Sequence, residues 1–532
     1  MNEINILVCD PVSPKGIALL EKQPGFKVTV LKQRLAEPEL LPLVADKTAL
    51  IVRSETKITK AVIDAARQLK VVGRAGVGVD NVDVEYATQR GVVVMNTPGG
   101  NTISTAELTF SMLLSLARNI PQAHASMKAG EWNRKAFAGI EVFGKTLGVL
   151  GLGRIGSEVA KRAQAFGMKV LGYDPYISLT RAKSLQIEMA DLDEIYARAD
   201  FITVHMPLTD ETRGMINAET ISKMKTGVRI INCARGGIVV ENDLCEAIKS
   251  GKVAGAALDV YEVEPLPKDS PLRQLPQVIM TPHLGASTEE AQDNVGIEIA
   301  EAIIDFLVNG TIRNAVNMPS LDEKTYAIVK PFLNLGEKLG KLVGQIAPRR
   351  NEKIVITYGG RAVDLPTEPI TRCLLKGFLE HIVGQDVNQV NVRVLANSLG
   401  IKIQEVRSSE ETDYFEWIHI SVKSNGEEYS AAGTILGKNQ QPRIVELYER
   451  PIEVVPEGVL LLFFNKDRPG IVGYIGSILS KYNINIASMS LNRDIVGGKA
   501  LTVINLDNVP DSRVIDEIKK DPDITNVKVV KL

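Results

Sequence analysis

The stretch Lys145-Thr146-Leu147-Gly148-Val149-Leu150-Gly151-Leu152-Gly153-Arg154-Ile155-Gly156 decides the reading of the first half of this chain. Its opening residues, through Leu150, read as a buried strand, and the residues after Gly156, through Phe166, read as a helix. A second apolar strand runs from Lys169 to Tyr173 and ends at Asp174, eighteen residues past Gly156. A lone Gly-x-Gly-x-x-Gly is weak, but strand, glycines, helix, strand and terminal acid in that order specify a dinucleotide-binding unit. Gly151 permits the tight turn, Gly153 lets a pyrophosphate approach the backbone, and Gly156 lets the helix pack against the sheet. The free N–H groups at the helix start, beside Arg154 and Ile155, face the phosphates, whose charge the helix dipole favours. Asp174 accepts hydrogen bonds from ribose hydroxyls and repels a 2′-phosphate, which selects NAD over NADP.

Working outward, 532 residues are too many for one core and imply three or four domains. Apolar residues make up 45% and charged residues 24%, with a net charge of −2 and no basic block, which argues against nucleic acid as a partner. No apolar run approaches the length that crosses a bilayer, and the first ten residues read as a strand rather than a leader peptide. The four cysteines, Cys9, Cys233, Cys245 and Cys373, are far apart with no metal-ligand spacing, so no metal is expected and a reducing, cytoplasmic setting is.

Residues 1–98 alternate strands (Ile4–Cys9, Lys27–Leu31, Ala49–Arg53, Lys70–Gly73, Val92–Met95) with helical patterns, as a doubly wound parallel sheet does. Gly99-Gly100-Asn101 breaks the chain, and Ser104 with Glu107 reads as a capping box opening a helix through Arg118. Further strands follow the dinucleotide turn at Phe201–Val204, Arg229–Asn232, Gly255–Leu258 and Val278–Met280. A helical stretch from Ser287 to Val308 returns the chain to the first domain. The expected fold class is therefore α/β, with two doubly wound parallel-sheet domains, 1–98 plus 286–315 and 99–285. An α+β domain follows at 317–452, with strands near 354, 401 and 417. A terminal domain at 458–532 has the order β-α-β-β-α-β of a ferredoxin-like fold.

The chemistry-bearing residues lie at consecutive strand ends. Arg235 falls in Asn232-Cys233-Ala234-Arg235-Gly236-Gly237, Glu264 in the run Asp259 to Pro265, and His283 in the run Thr281 to Ser287. Ligands of open α/β sheets bind outside the carboxyl ends of the strands, so these three are expected to meet near the nicotinamide. A histidine takes the proton of a hydroxyl whose carbon loses hydride, a carboxylate steadies the imidazolium, and an arginine fork holds a substrate carboxylate. Each has a bland reading as a structural histidine, a strand end or a surface turn, and only their convergence on a cofactor domain favours chemistry. His205, which also follows a strand, reads as structural, as do His124, His381 and His419.

These runs, together with Arg74 to Asp83 and Asn96 to Asn101, resemble the D-isomer-specific 2-hydroxyacid dehydrogenases over residues 1–315. The resemblance implies that Arg235, Glu264 and His283 are the catalytic set. It implies that Val77, Pro207, Cys233, Ala234, Asp259 and Gly285 join Arg235 and His283 around the cofactor, and that residues 1–98 and 286–315 form the substrate domain. It implies subunits that pair through the cofactor domains as a homodimer or homotetramer. The run Leu462 to Val472, with Asn483 to Ala487, resembles an ACT regulatory domain. An intervening domain plus an ACT domain is similar to the long members of the family that act on phosphoglycerate. The implied reaction is 3-phospho-D-glycerate plus NAD⁺ to 3-phosphohydroxypyruvate plus NADH, the first step of L-serine synthesis.

A phosphorylated substrate needs further cations. Arg53-Ser54 and Arg74 are placed for it, with Gly76 and Asn101 offered to the substrate carboxylate as the resemblance implies, and Arg134 as a candidate from this chain or a partner subunit. Asp467 and Asn485 are the candidate groups for an amino-acid effector. Asp467 departs from the His-x-Asn-Arg-Pro-Gly pattern of serine-binding relatives. Two alternatives stay open: a glyoxylate or hydroxypyruvate reductase, and a non-catalytic sensor of NAD and amino acids.

Overall fold

A computed structural model describes residues 3–348, 351–384, 387–410, 412–424 and 426–532. The short apolar runs near the start become five parallel strands in the order Phe26–Val30, Ile4–Val8, Ala49–Val52, Val71–Arg74, Val93–Met95. Val, Ile and Leu fill them because both faces of a parallel sheet are covered. The helix Glu289–Ile304 supplies one cover, its Val295, Ile299 and Ile303 packing on Ile6, Ile51 and Val71.

The dinucleotide unit belongs to a second parallel sheet of seven strands. Their order is Val278–Met280, Val253–Leu258, Val228–Asn232, Phe201–Val204, Thr146–Leu150, Lys169–Tyr173, Glu188–Met189. From Thr146–Leu150 the chain winds one way, then returns to lay Phe201–Val204 on the other side. That reversal opens a crevice at the carboxyl ends of these two strands, where a doubly wound sheet binds its ligand. The helix expected to open at a Ser104 capping box instead spans Thr102–Arg118 with Asn101 at its N-cap. Ser104 Oγ donates to the Asn101 and Gly285 carbonyls, so it fastens the helix to the loop after His283 and caps nothing.

The third region is a six-stranded mixed sheet in the order Lys402–Ser408, Lys353–Gly360, Glu416–Ser424, Glu427–Leu436, Gln441–Leu447, Arg450–Val454. The last three strands were not expected. Glu427–Leu436 carries Ser430, Ala432, Gly433 and Thr434 where an apolar alternation would be read, yet Ser430 and Thr434 are buried. Two long helices, Glu323–Ile346 and Thr367–Val383, cover one face. They cross closely because Gly340 has no side chain: a Cβ there would stand 1.9 Å from the Leu374 carbonyl oxygen.

The last four strands run Ile486–Arg493, Lys499–Leu506, Val459–Lys466, Ile524–Lys531, all antiparallel, with helices Ile471–Lys481 and Ser512–Ile518. One face takes the helices, Leu461 and Phe463 meeting Ile475 and Val514. The other face, through Leu460, Leu462 and Phe464, shares a core with Leu335, Leu339 and Leu342 of the long helix Glu323–Ile346. The third and fourth regions are thus distinct sheets joined by one apolar core. A further joint ties the third region to the first: Asn388 Nδ2 donates to the Gly91 carbonyl at 2.9 Å, and Val390 is buried in the first region's core.

Candidate active site

Strand Thr146–Leu150 delivers the chain to Gly151, whose φ of 97° is open to glycine. Helix Arg154–Ala165 begins at once, and a Cβ on Gly156 would stand 1.9 Å from the Gly151 carbonyl oxygen. No other group stands within 4 Å of where a Gly153 Cβ would project, so the backbone at the helix start is bare. Asp174 accepts from the Leu152 N–H through Oδ2 and from the Tyr176 N–H through Oδ1, each at 2.8 Å. The carboxylate therefore braces the glycine turn from the end of the second strand. Bare N–H groups, a helix N-terminus and a fixed acid fit a dinucleotide.

A cleft of about 1130 Å³ opens between the first two sheets. From the second sheet it is lined by Ile155, Pro207, Cys233, Ala234, Arg235, Asp259, Glu264, His283 and Gly285. From the first it is lined by Arg53, Ser54, Arg74 and Val77, with Asn101 at the junction. Gly151, Gly153, Arg154, Gly156 and Asp174 stand outside this cavity, on the adjoining turn and strand end. Arg154 faces the first region, where its charge acts on Glu298.

The three strand-end residues do converge. His283 Nδ1 lies 2.8 Å from Glu264 Oε2, and the Tyr261 N–H donates to Glu264 Oε1 at 3.1 Å. Burial alone would raise the Glu264 carboxyl, but the hydrogen bond and charge of His283 bring it below the usual carboxylate range. His283 has a φ of 55°, held by its N–H to the Asp259 and Thr281 carbonyls. Asp259 is fully buried, and burial pushes its carboxyl up. It accepts from Thr281 Oγ1 at 2.6 Å, the Leu284 N–H at 2.7 Å and the Gly285 N–H at 2.9 Å, so it builds the loop that carries His283. Asn232 does the same for Arg235: its Nδ2 donates to the Arg235 carbonyl and its Oδ1 accepts from the Ala234 N–H. Arg235 then reaches across the cleft, its Nε 3.2 Å from Asp80 Oδ2. Burial raises the Cys233 thiol to about 12, which keeps it inert. His205 also lines the cleft, but burial pushes its imidazole down to about 3, which keeps it neutral, with Thr203 Oγ1 3.0 Å from Nε2.

The opposite wall is cationic. Burial and the nearby charges of Arg235 and Arg53 push Arg74 down to about 10, and its Nε is buried without a protein partner. Gly76 lies directly against Arg74, where a Cβ would meet Nη1. Asn101 Oδ1 is likewise buried and unsatisfied. The Arg53 N–H donates to the buried Asp10 carboxylate at 2.6 Å, which fixes the strand end. Arg134 is not in this cleft. It sits in the exposed segment after Trp132, a residue that is 77% exposed.

Three family models match successive parts of the chain. They are the NAD-binding domain of D-isomer specific 2-hydroxyacid dehydrogenases over 110–285, the D-3-phosphoglycerate dehydrogenase intervening domain over 328–448, and the ACT domain over 459–523. The D-3-phosphoglycerate dehydrogenase of Methanocaldococcus jannaschii is 46% identical over 530 residues, covering 99% of this chain and 100% of that one. That of Bacillus subtilis is 44% identical over 527 residues, covering 99% of both. The chain belongs to the D-3-phosphoglycerate dehydrogenase family.

Solved structures match part of the chain. A glyoxylate reductase from Paecilomyes thermophila is 28% identical with a TM-score of 0.55, covering 59% of this chain and 99% of that one. The D-lactate dehydrogenase of Escherichia coli is 25% identical with a TM-score of 0.52, over the same shares.

Sequence reasoning missed several groups on the cleft wall, among them Arg34, Lys57, Arg273 and Gln292. Arg34 follows strand Phe26–Val30, so the rule that ligands gather at carboxyl ends of strands could have found it. Gln292 is on a helix and carried no such signal. The candidate effector groups are not brought together within the chain. Asp467 sits beside the Arg493 end of strand Ile486–Arg493, bonded to Arg493 Nη1 and the Gly497 N–H, each at 3.0 Å. Asn485 precedes the other end and donates to Asp507 Oδ2 at 2.9 Å.

Proposed function

We propose that this cleft oxidises 3-phospho-D-glycerate to 3-phosphohydroxypyruvate with NAD, the first step of L-serine synthesis. The observation that carries the reading is the His283–Glu264 pair facing a cleft shared with Arg235, Arg74 and Arg53. Arg235 holds the substrate carboxylate and polarises the neighbouring C2 oxygen. His283 takes the hydroxyl proton as the C2 hydrogen leaves as hydride, and Glu264 steadies the resulting imidazolium. Bound NAD supplies the hydride acceptor, held by the Gly151–Gly156 turn with Asp174 on the ribose. Arg53, Ser54 and Arg74 meet the phosphate, while Val77, Gly76 and Asn101 offer polar backbone and amide groups to the carboxylate.

The reading divides the chain into a substrate domain (1–98 with 286–315), an NAD domain (99–285), an intervening domain (317–452) and an ACT domain (458–532). The exposed Trp132 and Phe143 support pairing of NAD domains in a homodimer or homotetramer, with Arg134 entering the partner's cleft. An amino-acid effector at the ACT domain would have to displace Arg493 from Asp467 or bind between two copies. Buried, unpaired cysteines support a cytoplasmic setting, and no helix among the described residues is long and apolar enough to cross a membrane.

A glyoxylate or hydroxypyruvate reductase has no use for two arginines beside the carboxylate site, and a sensor has no use for a histidine–glutamate pair. The test is NADH formation from NAD⁺ across a panel of 2-hydroxy acids with and without a 3-phosphate. A phosphate preference supports the reading. Faster turnover of the unphosphorylated acids sinks it.

A further inference from the structure

Arg235 is carried by the NAD domain, yet the acid that holds it belongs to the substrate domain. Its Nε donates to Asp80 Oδ2 at 3.2 Å, across the cleft. The guanidinium fills the space left open by Gly78, where a Cβ would stand 1.9 Å from Nη2 and 2.8 Å from Asp80 Oδ2. Nη1 is turned back to the Ala234 carbonyl at 2.7 Å. A guanidinium is planar, so fixing Nε and Nη1 fixes the direction of the remaining nitrogen. Arg74 adds a second reason for an acid here. Its charge opposes that of Arg235, and Asp80 acts favourably on both. Asp80 is itself 74% exposed, so it does not serve the core.

We propose that Asp80 is a positioning residue for the reaction: from the substrate domain it sets the plane of the Arg235 guanidinium, so that the carboxylate fork is aligned only when the two domains meet. The proposal rests on the assignment of Arg235 to the substrate carboxylate. It makes closure of the cleft and formation of the fork one event, because the two halves of the Asp80–Arg235 pair travel on different domains.

The experiment is a double-mutant cycle on the full-length protein with 3-phosphoglycerate and NAD⁺: wild type, Asp80→Asn, Arg235→Lys and the pair, with NAD affinity by fluorescence. Asp80→Asn is expected to lower kcat/KM roughly 10- to 100-fold, mostly through KM, with NAD affinity unchanged, and Asp80→Glu to recover part of the loss. In the Arg235→Lys background the Asp80 effect should shrink to less than about threefold. Additive losses, a change in NAD affinity matching that in kcat/KM, or a lowered KM in Asp80→Asn would each overturn the proposal. A lowered KM would mean that Asp80 competes with substrate. If Arg235→Lys alone leaves kcat/KM unchanged, the assignment of Arg235 fails instead.

Discussion

Polar groups in the cleft and in the last of the four regions of this chain are left in different states. In the cleft, Arg74 keeps a buried Nε without a protein partner, Asn101 keeps a buried amide oxygen unsatisfied, and His283 is 47% exposed beside its glutamate. In the last region, Asp467 is paired with Arg493, Asn485 with Asp507, and Arg468 with both Asp521 and Asp523. Buried polar groups are costly when unsatisfied, so a site that leaves them so is prepared for a ligand. A region that has closed its pairs internally holds its shape without one. The difference teaches that the cleft offers unpaired groups to a ligand, whereas an effector at Asp467 or Asn485 must break a pair or use a second chain.

The largest test of that contrast is His283→Ala. Turnover should fall on the order of 10²-fold or more while NAD affinity stays within about twofold. Equal turnover in stopped-flow or steady-state assays would remove His283 from the chemistry. Next, Asp174→Ala should weaken NAD roughly 10- to 100-fold and narrow the gap to NADP, because it removes a charged acceptor and the brace on the Leu152 N–H together. An unchanged cofactor preference would contradict the ribose assignment.

Glu264→Gln should cost on the order of tenfold in kcat, since the amide keeps the shape but not the charge that steadies His283. Glu264 also predicts a pH dependence. Its folded carboxyl titrates below the ordinary value because the bond and charge of His283 outweigh burial. The stabilisation it contributes is therefore present above the ordinary glutamate range and is lost as pH falls through the lowered value. Melting curves of wild type and Glu264→Gln should accordingly converge in acid and separate toward neutrality. Separation in the opposite direction would reverse the sign of the interaction. The smallest effect is expected for Asp467→Asn, which should leave effector-free kcat/KM within about twofold, its ion pair being exposed. A large loss there would erase the contrast between the cleft and the last region.

The two parallel sheets were legible because their physics is local. A strand buried on both faces reads as an unbroken apolar run, and a glycine turn followed by a helix and an acid has one use. The convergence of Arg235, Glu264 and His283 on one cleft followed from the same logic, each lying just past a strand end. Gln292 and Lys57 were not, because their approach to the cleft depends on how two domains lean together. The strand Glu427–Leu436 was hidden because its buried positions are serine, alanine, glycine and threonine. The pairing of Asp80 with Arg235, separated by 155 positions, has no trace in either segment alone.

The joint at Asn388 and Val390 sets how movement in the C-terminal half is felt. Those two residues grip the first region at Gly91 and beneath the strand Val93–Met95, next to the strand that ends in Arg74. The C-terminal half is hitched to the sheet that carries Arg74, the wall proposed above to meet the phosphate, like ballast on one leaf of a hinge. Shifting that ballast would alter how readily the leaf swings and how tightly substrate is gripped well before it disturbed the seat of the nucleotide.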